Sequence, residues 1–150
     1  MEKTANEMNS AVFHVPALLR GLAVWVLIIA AETVNGTIRE LLFVPRFGAL
    51  TSRRISFGIA LVLIMLISVA TIKWIRVTGI YSLLIVGAIW TLMTFLFEAV
   101  VGIFVMGLSW DSIFADYNIA GGGLMSIGLV FMLFAPLLAS RLREDNAARL

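Results

Sequence analysis

Ala31-Glu32-Thr33-Val34-Asn35-Gly36-Thr37-Ile38-Arg39-Glu40 closes an apolar run that begins near Val15, and closes it on charge. Two features of the stretch predict a break. Asn35-Gly36 reads as a turn. Thr37 and Glu40 have the spacing of a capping box, with Thr37 as N-cap and Glu40 at the third helical position. The stretch therefore predicts one membrane span over about 15–34 and a separate short helix over about 37–44. Ile38, Leu41 and Leu42 recur on one face of that helix. Pro45 disfavours helical backbone at Val44 and marks its end.

Three more apolar runs follow. Ile55–Ile72, Val77–Phe97 and Ile119–Ser140 carry no charged residue, and the second continues past Glu98 towards Met106. About 20 apolar residues cross a hydrocarbon core of about 30 Å. In lipid every backbone polar group needs a partner, so such runs form helices unless strands close into a barrel. The alternation of a barrel strand is absent here. The expected spans are about 15–34, 54–74, 79–105 and 120–141. Arg20 lies inside the first run and no basic segment precedes it, which argues for an uncleaved span rather than a signal peptide. The expected fold is an all-α membrane protein, one domain over 1–150. It is a four-transmembrane-helix antiparallel bundle with two short interfacial helices on the same side. The second of these is expected over about 110–118, where Trp110, Ile113, Phe114 and Tyr117 recur at helical spacing. Gly87-x-x-x-Thr91 and Gly122-x-x-x-Ser126 are small-residue pairs suited to close helix packing. Pro136 should loosen the fourth span locally.

Composition supports this class and excludes others. The chain is 61% hydrophobic and 13% charged, against about half and a quarter in soluble domains. It has no cysteine and one histidine, His14, so thiolate chemistry and Cys-ligated metal are excluded. No metal, cofactor or catalytic constellation is expected, and hydrolase, phosphate-loop and dinucleotide motifs are absent. The net charge of +2 comes from arginines flanking spans, not from a basic stripe with interleaved aromatics, so nucleic acid is not an expected partner.

Four spans place the N-terminus, the 73–79 link and the C-terminus on one side. That side carries Lys3, Lys73, Arg76, Arg141, Arg143 and Arg149, and the other carries Arg39, Arg46, Arg53 and Arg54. The imbalance favours cytoplasmic termini. Depth then brings charges together. Glu32 lies about 24 Å along the first span from Pro16, and Glu98 about 28 Å along the third from Gly79. Both carboxylates should reach the outer third of the membrane, where Glu32, Glu98, Arg39, Arg46, Arg53 and Arg54 form one cluster. Asn35, Glu40, Asp116 and Tyr117 are secondary candidates. An ionised side chain at the centre of a membrane helix costs about 2.5–3.5 kcal/mol on insertion scales. Glu98 therefore needs a reason to be there. It either forms a structural ion pair with an arginine of the first link, Arg39 above all, or walls a functional pocket.

The set Ala31-Glu32-Thr33, Asn35-Gly36, Arg39-Glu40, Pro45, Glu98, Ser109-Trp110 and Asp116-Tyr117 resembles uncharacterised four-span inner-membrane proteins of bacteria, over about Arg20 to Arg143. The resemblance implies a class and no activity. Small multidrug transporters also have four spans and an acid in the first, but they are shorter and their acid lies mid-membrane. The chain is not assigned to them. The expected role is binding of an anionic lipid-like or small anionic ligand at the cluster. Two alternatives stand beside it. One is a proton-coupled transporter or channel acting as an oligomer. The other is an accessory subunit of a larger membrane complex. Membrane lipids, a homo-oligomer or such a complex are the expected partners, and the cell inner membrane is the expected location.

Overall fold

A computed structural model describes residues 15–147. The N-terminal tail with Lys3 and His14, and Arg149, lie outside the described residues. All regular structure among the described residues is helical. Helix α1 spans Val15–Ile38, α2 Ala49–Ile75, α3 Ile80–Val100, α4 Trp110–Tyr117 and α5 Met125–Ala147. Four segments are long and apolar enough to cross a membrane: Val15–Phe47, Ala49–Ile75, Ile80–Val105 and Met125–Glu144. Their outward faces carry exposed Val26, Leu27, Val62, Leu66, Leu92 and Val130. An apolar surface all round a bundle belongs in lipid, not in water.

The expected break at Asn35-Gly36-Thr37 does not occur. α1 runs straight through it, then through a π-helical turn Arg39–Phe43 and a last helical turn Val44–Phe47. Asn35 is buried, and its side chain bonds across to α2 instead of turning its own backbone. Thr37 is no cap, since its hydroxyl donates to the carbonyl of Thr33 at 2.8 Å, within the helix. The Val44 amide bonds back five residues to Arg39, the wide spacing of a π turn. That extra residue falls just before Pro45, which has no amide proton to give to the helix. Gly48, at φ 76°, makes the actual turn, a backbone that side chains with a Cβ rarely adopt. Its amide bonds to Val44 and its carbonyl accepts from Ser52, so one residue ends the first rod and starts α2.

The second link, 76–79, is also short. Arg76, at φ 59°, and Gly79, at φ 87°, turn the chain from α2 into α3. A second π-helical turn, Val101–Val105, prolongs α3, and Gly107 at φ 64° releases it towards α4. Ser109 caps α4 by accepting from the Ser112 amide at 3.3 Å. Asn118 accepts from the Gly121 amide at 3.2 Å in the following 3₁₀ turn. The pair Gly122 and Ser126 does not pack helices. Gly122 is a left-handed turn residue, and the Ser126 hydroxyl donates to the carbonyl of Tyr117 at 2.8 Å. α5 begins at Met125, later than the expected 120, and is continuous through a buried Pro136.

α2 and α5 form the middle of the bundle, α2 packed on α1 and α5, and α5 packed on α2 and α3. Trp90 of α3 is fully buried and its indole donates to the carbonyl of Gly21 at 2.8 Å. Four residues on, Thr94 accepts from the Trp25 indole at 3.0 Å. These bonds fix the register of α1 against α3 and hold Glu32 and Glu98 towards the same end of the bundle. Gly87 and Thr91 lie against α5, with the Thr91 hydroxyl near the Leu129 carbonyl at 3.3 Å. The small-residue pair therefore marks the α3–α5 contact. Lipid provides no hydrophobic drive between helices, so such close packing is what holds them together.

Candidate functional site

A cavity of about 330 Å³ opens beside the end of the bundle that carries Glu32 and Glu98. α1 contributes Glu32 and Asn35 to it, the π-helical turn after α1 contributes Arg39, α2 contributes Arg53 and Ser56, and α3 contributes Thr94 and Glu98. Asp116 and Tyr117 of α4 stand at one side. Its deeper walls are apolar, made by Phe57, Leu61 and Ile64 of α2 and by Leu129 and Met132 of α5. Seven of the ten candidate residues thus share one cavity. Arg46 and Arg54 do not line it and are exposed, and neither does Glu40.

The partners within the cluster differ from those expected. Arg39 pairs with its neighbour Glu40 at 2.9 Å, not with Glu98. Arg53 pairs with Asp116, which ties α2 to α4. Among the described residues no arginine forms an ion pair with Glu98 or Glu32. The two carboxylates face the cavity, and the two arginines that also line it are engaged by other acids. The expected structural Glu98–Arg ion pair is thereby replaced by an acid open to the cavity. Glu98 lies in an apolar helix, with its side chain exposed at the cavity wall. Access through a cavity is one of the arrangements that make such a position tolerable.

Asn35 organises the α1 side. Its amide donates to the Ser56 carbonyl at 3.0 Å and more weakly to Glu32 Oε2 at 3.4 Å, and its oxygen accepts from the Ser56 hydroxyl at 3.1 Å. Glu32 Oε1 is buried with no partner among the described residues. The Tyr117 hydroxyl is in the same condition. A buried polar atom without a partner costs about 1–3 kcal/mol, so both groups are poised for a ligand that can hydrogen-bond. At the floor, Thr94 receives the Trp25 indole and gives its own proton to Met132 Sδ at 3.1 Å. Ser56, Thr94 and the apolar walls are absent from the sequence expectation. Ser52 and Ser56, one turn apart on either side of Arg53-Arg54, are the signal that could have found the α2 face.

Tyr117 packs edge-on against Phe95, ring centroids 5.8 Å apart. Burial, then the Glu98 and Asp116 carboxylates, push its phenol from 10.0 up to about 12. A spectrophotometric titration should therefore show one phenol ionising only near pH 12, and Tyr117→Phe should delete that step. The folded state holds this proton more tightly than the unfolded chain. The stability linked to it is present below pH 10 and is lost as pH rises towards 12. Titration of every phenol near 10 would show that Tyr117 is not enclosed as described.

Gly123 sets α4 in place: a Cβ there would meet the Asp116 backbone, with the Ala115 carbonyl oxygen at 2.9 Å. No family model matches the chain, and no curated protein or solved structure matches it.

Proposed function

We propose that this chain is a multi-pass protein of the cell inner membrane that binds a small cationic amphiphile in the cavity at Glu32 and Glu98. The observation that carries this reading is the distribution of partners. Arg39 and Arg53 are paired with Glu40 and Asp116, while Glu32 and Glu98 line the same cavity with no ion pair among the described residues. An ammonium head group would meet two carboxylates, that of Glu32 through its unpartnered oxygen, and the Tyr117 hydroxyl. A short hydrocarbon tail would lie along Phe57, Leu61 and Met132. The volume of about 330 Å³ falls at the small end of ligand sites.

The finer architecture belongs to the same proposal. The one-residue turn at Gly48 and the short 76–79 link support an antiparallel arrangement of the first three spans. α4 has the character of an interfacial helix: Trp110 and Phe114 are exposed and stacked 5.9 Å apart, while Ile113 is buried beneath. In the sequence, six cations fall on the side of the termini (Lys3, Lys73, Arg76, Arg141, Arg143 and Arg149) against four on the other, which supports cytoplasmic termini and a cavity facing outwards.

An anionic amphiphile is the second reading, favoured by the presence of Arg39 and Arg53 on the cavity wall. It requires Arg53 to leave Asp116. Titrating the purified protein with decylammonium and with decyl phosphate, below their micellar concentrations, separates the two. Calorimetry should show saturable binding of decylammonium at least about tenfold tighter than decyl phosphate, a difference of about 1.4 kcal/mol. The reverse order would favour the anion. Binding of neither would remove the cavity as an amphiphile site. Proton-coupled transport would use the same two carboxylates, and flux in proteoliposomes would extend the proposal to it.

A further inference from the structure

The opposite end of the bundle carries a second assembly of charge that the cavity does not use. The Arg20 guanidinium of α1 lies over the Trp74 ring of α2, 5.9 Å from its centroid. From α5, Arg143 Nη1 donates to the carbonyls of Val69 at 2.6 Å and Ala70 at 3.2 Å. Two arginines from different helices are thus folded onto the last turns of α2. Lys73 is exposed on those turns, and Arg76 and Arg141 are exposed close by in the chain. Two acids follow these cations in α5, Glu144 and Asp145, and among the residues whose side chains are described none of these cations is in an ion pair. At the cavity end, by contrast, Arg39 and Arg53 each have a carboxylate, and the exposed Arg46 and Arg54 serve below as the comparison.

Arg143 has a sufficient local role, since positive charge complements the carbonyl end of a helix. Lys73, in the last turn of α2, shares that role and is still exposed, whereas Arg20 has none of that sort. Stacking on Trp74 holds the Arg20 guanidinium in place and leaves its planar fork of N–H donors available, which suits phosphate oxygens. Trp74 is half exposed, as expected of an indole at head-group depth. We propose that Arg20 and Lys73, beside Trp74, hold the phosphate head group of an anionic phospholipid in the leaflet at this end. Arg143, Arg76 and Arg141 add to the field around it.

The site is independent of the cavity and is tested separately. Native mass spectrometry of the purified protein, offered equal amounts of phosphatidylglycerol and phosphatidylcholine with the same acyl chains, should show preferential retention of phosphatidylglycerol. Arg20→Gln with Lys73→Gln should reduce that preference by about fivefold per charge removed. Arg46→Gln with Arg54→Gln, two exposed cations at the other end, should leave it unchanged. Lys73→Gln alone, at an exposed position, gives a single step of about fivefold even if the double variant does not fold. No preference in the parent protein would overturn the proposal. So would an equal loss from the Arg46 and Arg54 pair, which would mean diffuse attraction. Displacement of the lipid by soluble glycerol phosphate at similar concentration would show a free-phosphate site instead.

Discussion

Gly87→Ala should separate α3 from α5 and cause the largest loss of stability of any single methyl added to the bundle. A Cβ at Gly87 would collide with the Leu133 carbonyl oxygen, and would lie 2.7 Å from its carbon and 3.1 Å from the Leu133 Cα. These are backbone atoms of a central helix, so no side chain can swing aside. Relief requires the two helix axes to move apart. That movement stretches the Thr91 contact to Leu129 and the Thr94 contact to Met132. Overpacking of this kind costs about 1–3 kcal/mol. In lipid the loss is not softened by hydrophobic collapse, because lipid tails are as apolar as the helix faces. A fall in the thermal or denaturant midpoint of purified Gly87→Ala checks this. Gly36→Ala is the internal comparison, since a Cβ there meets nothing within 4 Å, and it should be near neutral or slightly stabilising. Equal behaviour of the two variants would contradict the packing described.

The contrast between these glycines shows where sequence reasoning succeeds and fails in this chain. Length and apolar continuity are sufficient for four long helices, because the membrane leaves the backbone so few alternatives. Gly87 with Thr91 was legible as a contact, since small residues one turn apart serve few other purposes in an apolar helix. That Glu32 and Glu98 come to one cavity was legible too, because rise per residue is fixed along both helices. Asn35-Gly36 misled for a definite reason. A turn and a buried cross-helix amide use the same residue, and only the partner, Ser56, distinguishes them. The partner of Arg39 was misjudged likewise, as Glu40 next to it lies closer than any acid of α3. The apolar walls were invisible. Phe57 and Met132 face a cavity, Leu66 and Leu92 face outwards, and hydrophobicity is the same in both cases.

Glu98→Gln should weaken decylammonium binding by about one to two orders of magnitude, as should Glu32→Gln. Hydrogen bonds to a charged group are worth about 1.5–3 kcal/mol, and glutamine keeps the shape of the side chain while removing the charge. The two positions differ in a way that the measurements can resolve. Glu32 is anchored by Asn35 through one oxygen, leaving Oε1 alone for the ligand. Glu98 has no ion-pair partner among the described residues and lies beside Thr94 and Tyr117 on the cavity wall. If one ammonium bridges both carboxylates, the double variant should lose less than the sum of the single losses, because either change already breaks the bridge. If the carboxylates hold separate positions, the losses should add. Arg39→Gln then decides the sign of the site. It removes a cation from the rim and leaves Glu40 exposed outside the cavity. Binding of a cation should hold or tighten, whereas binding of an anion should weaken. Parent-like affinity in folded Glu98→Gln and Glu32→Gln, together with loss in Arg39→Gln, would transfer the site from the carboxylates to the arginines. The cavity would then serve anions, with Arg53 exchanging Asp116 for the ligand.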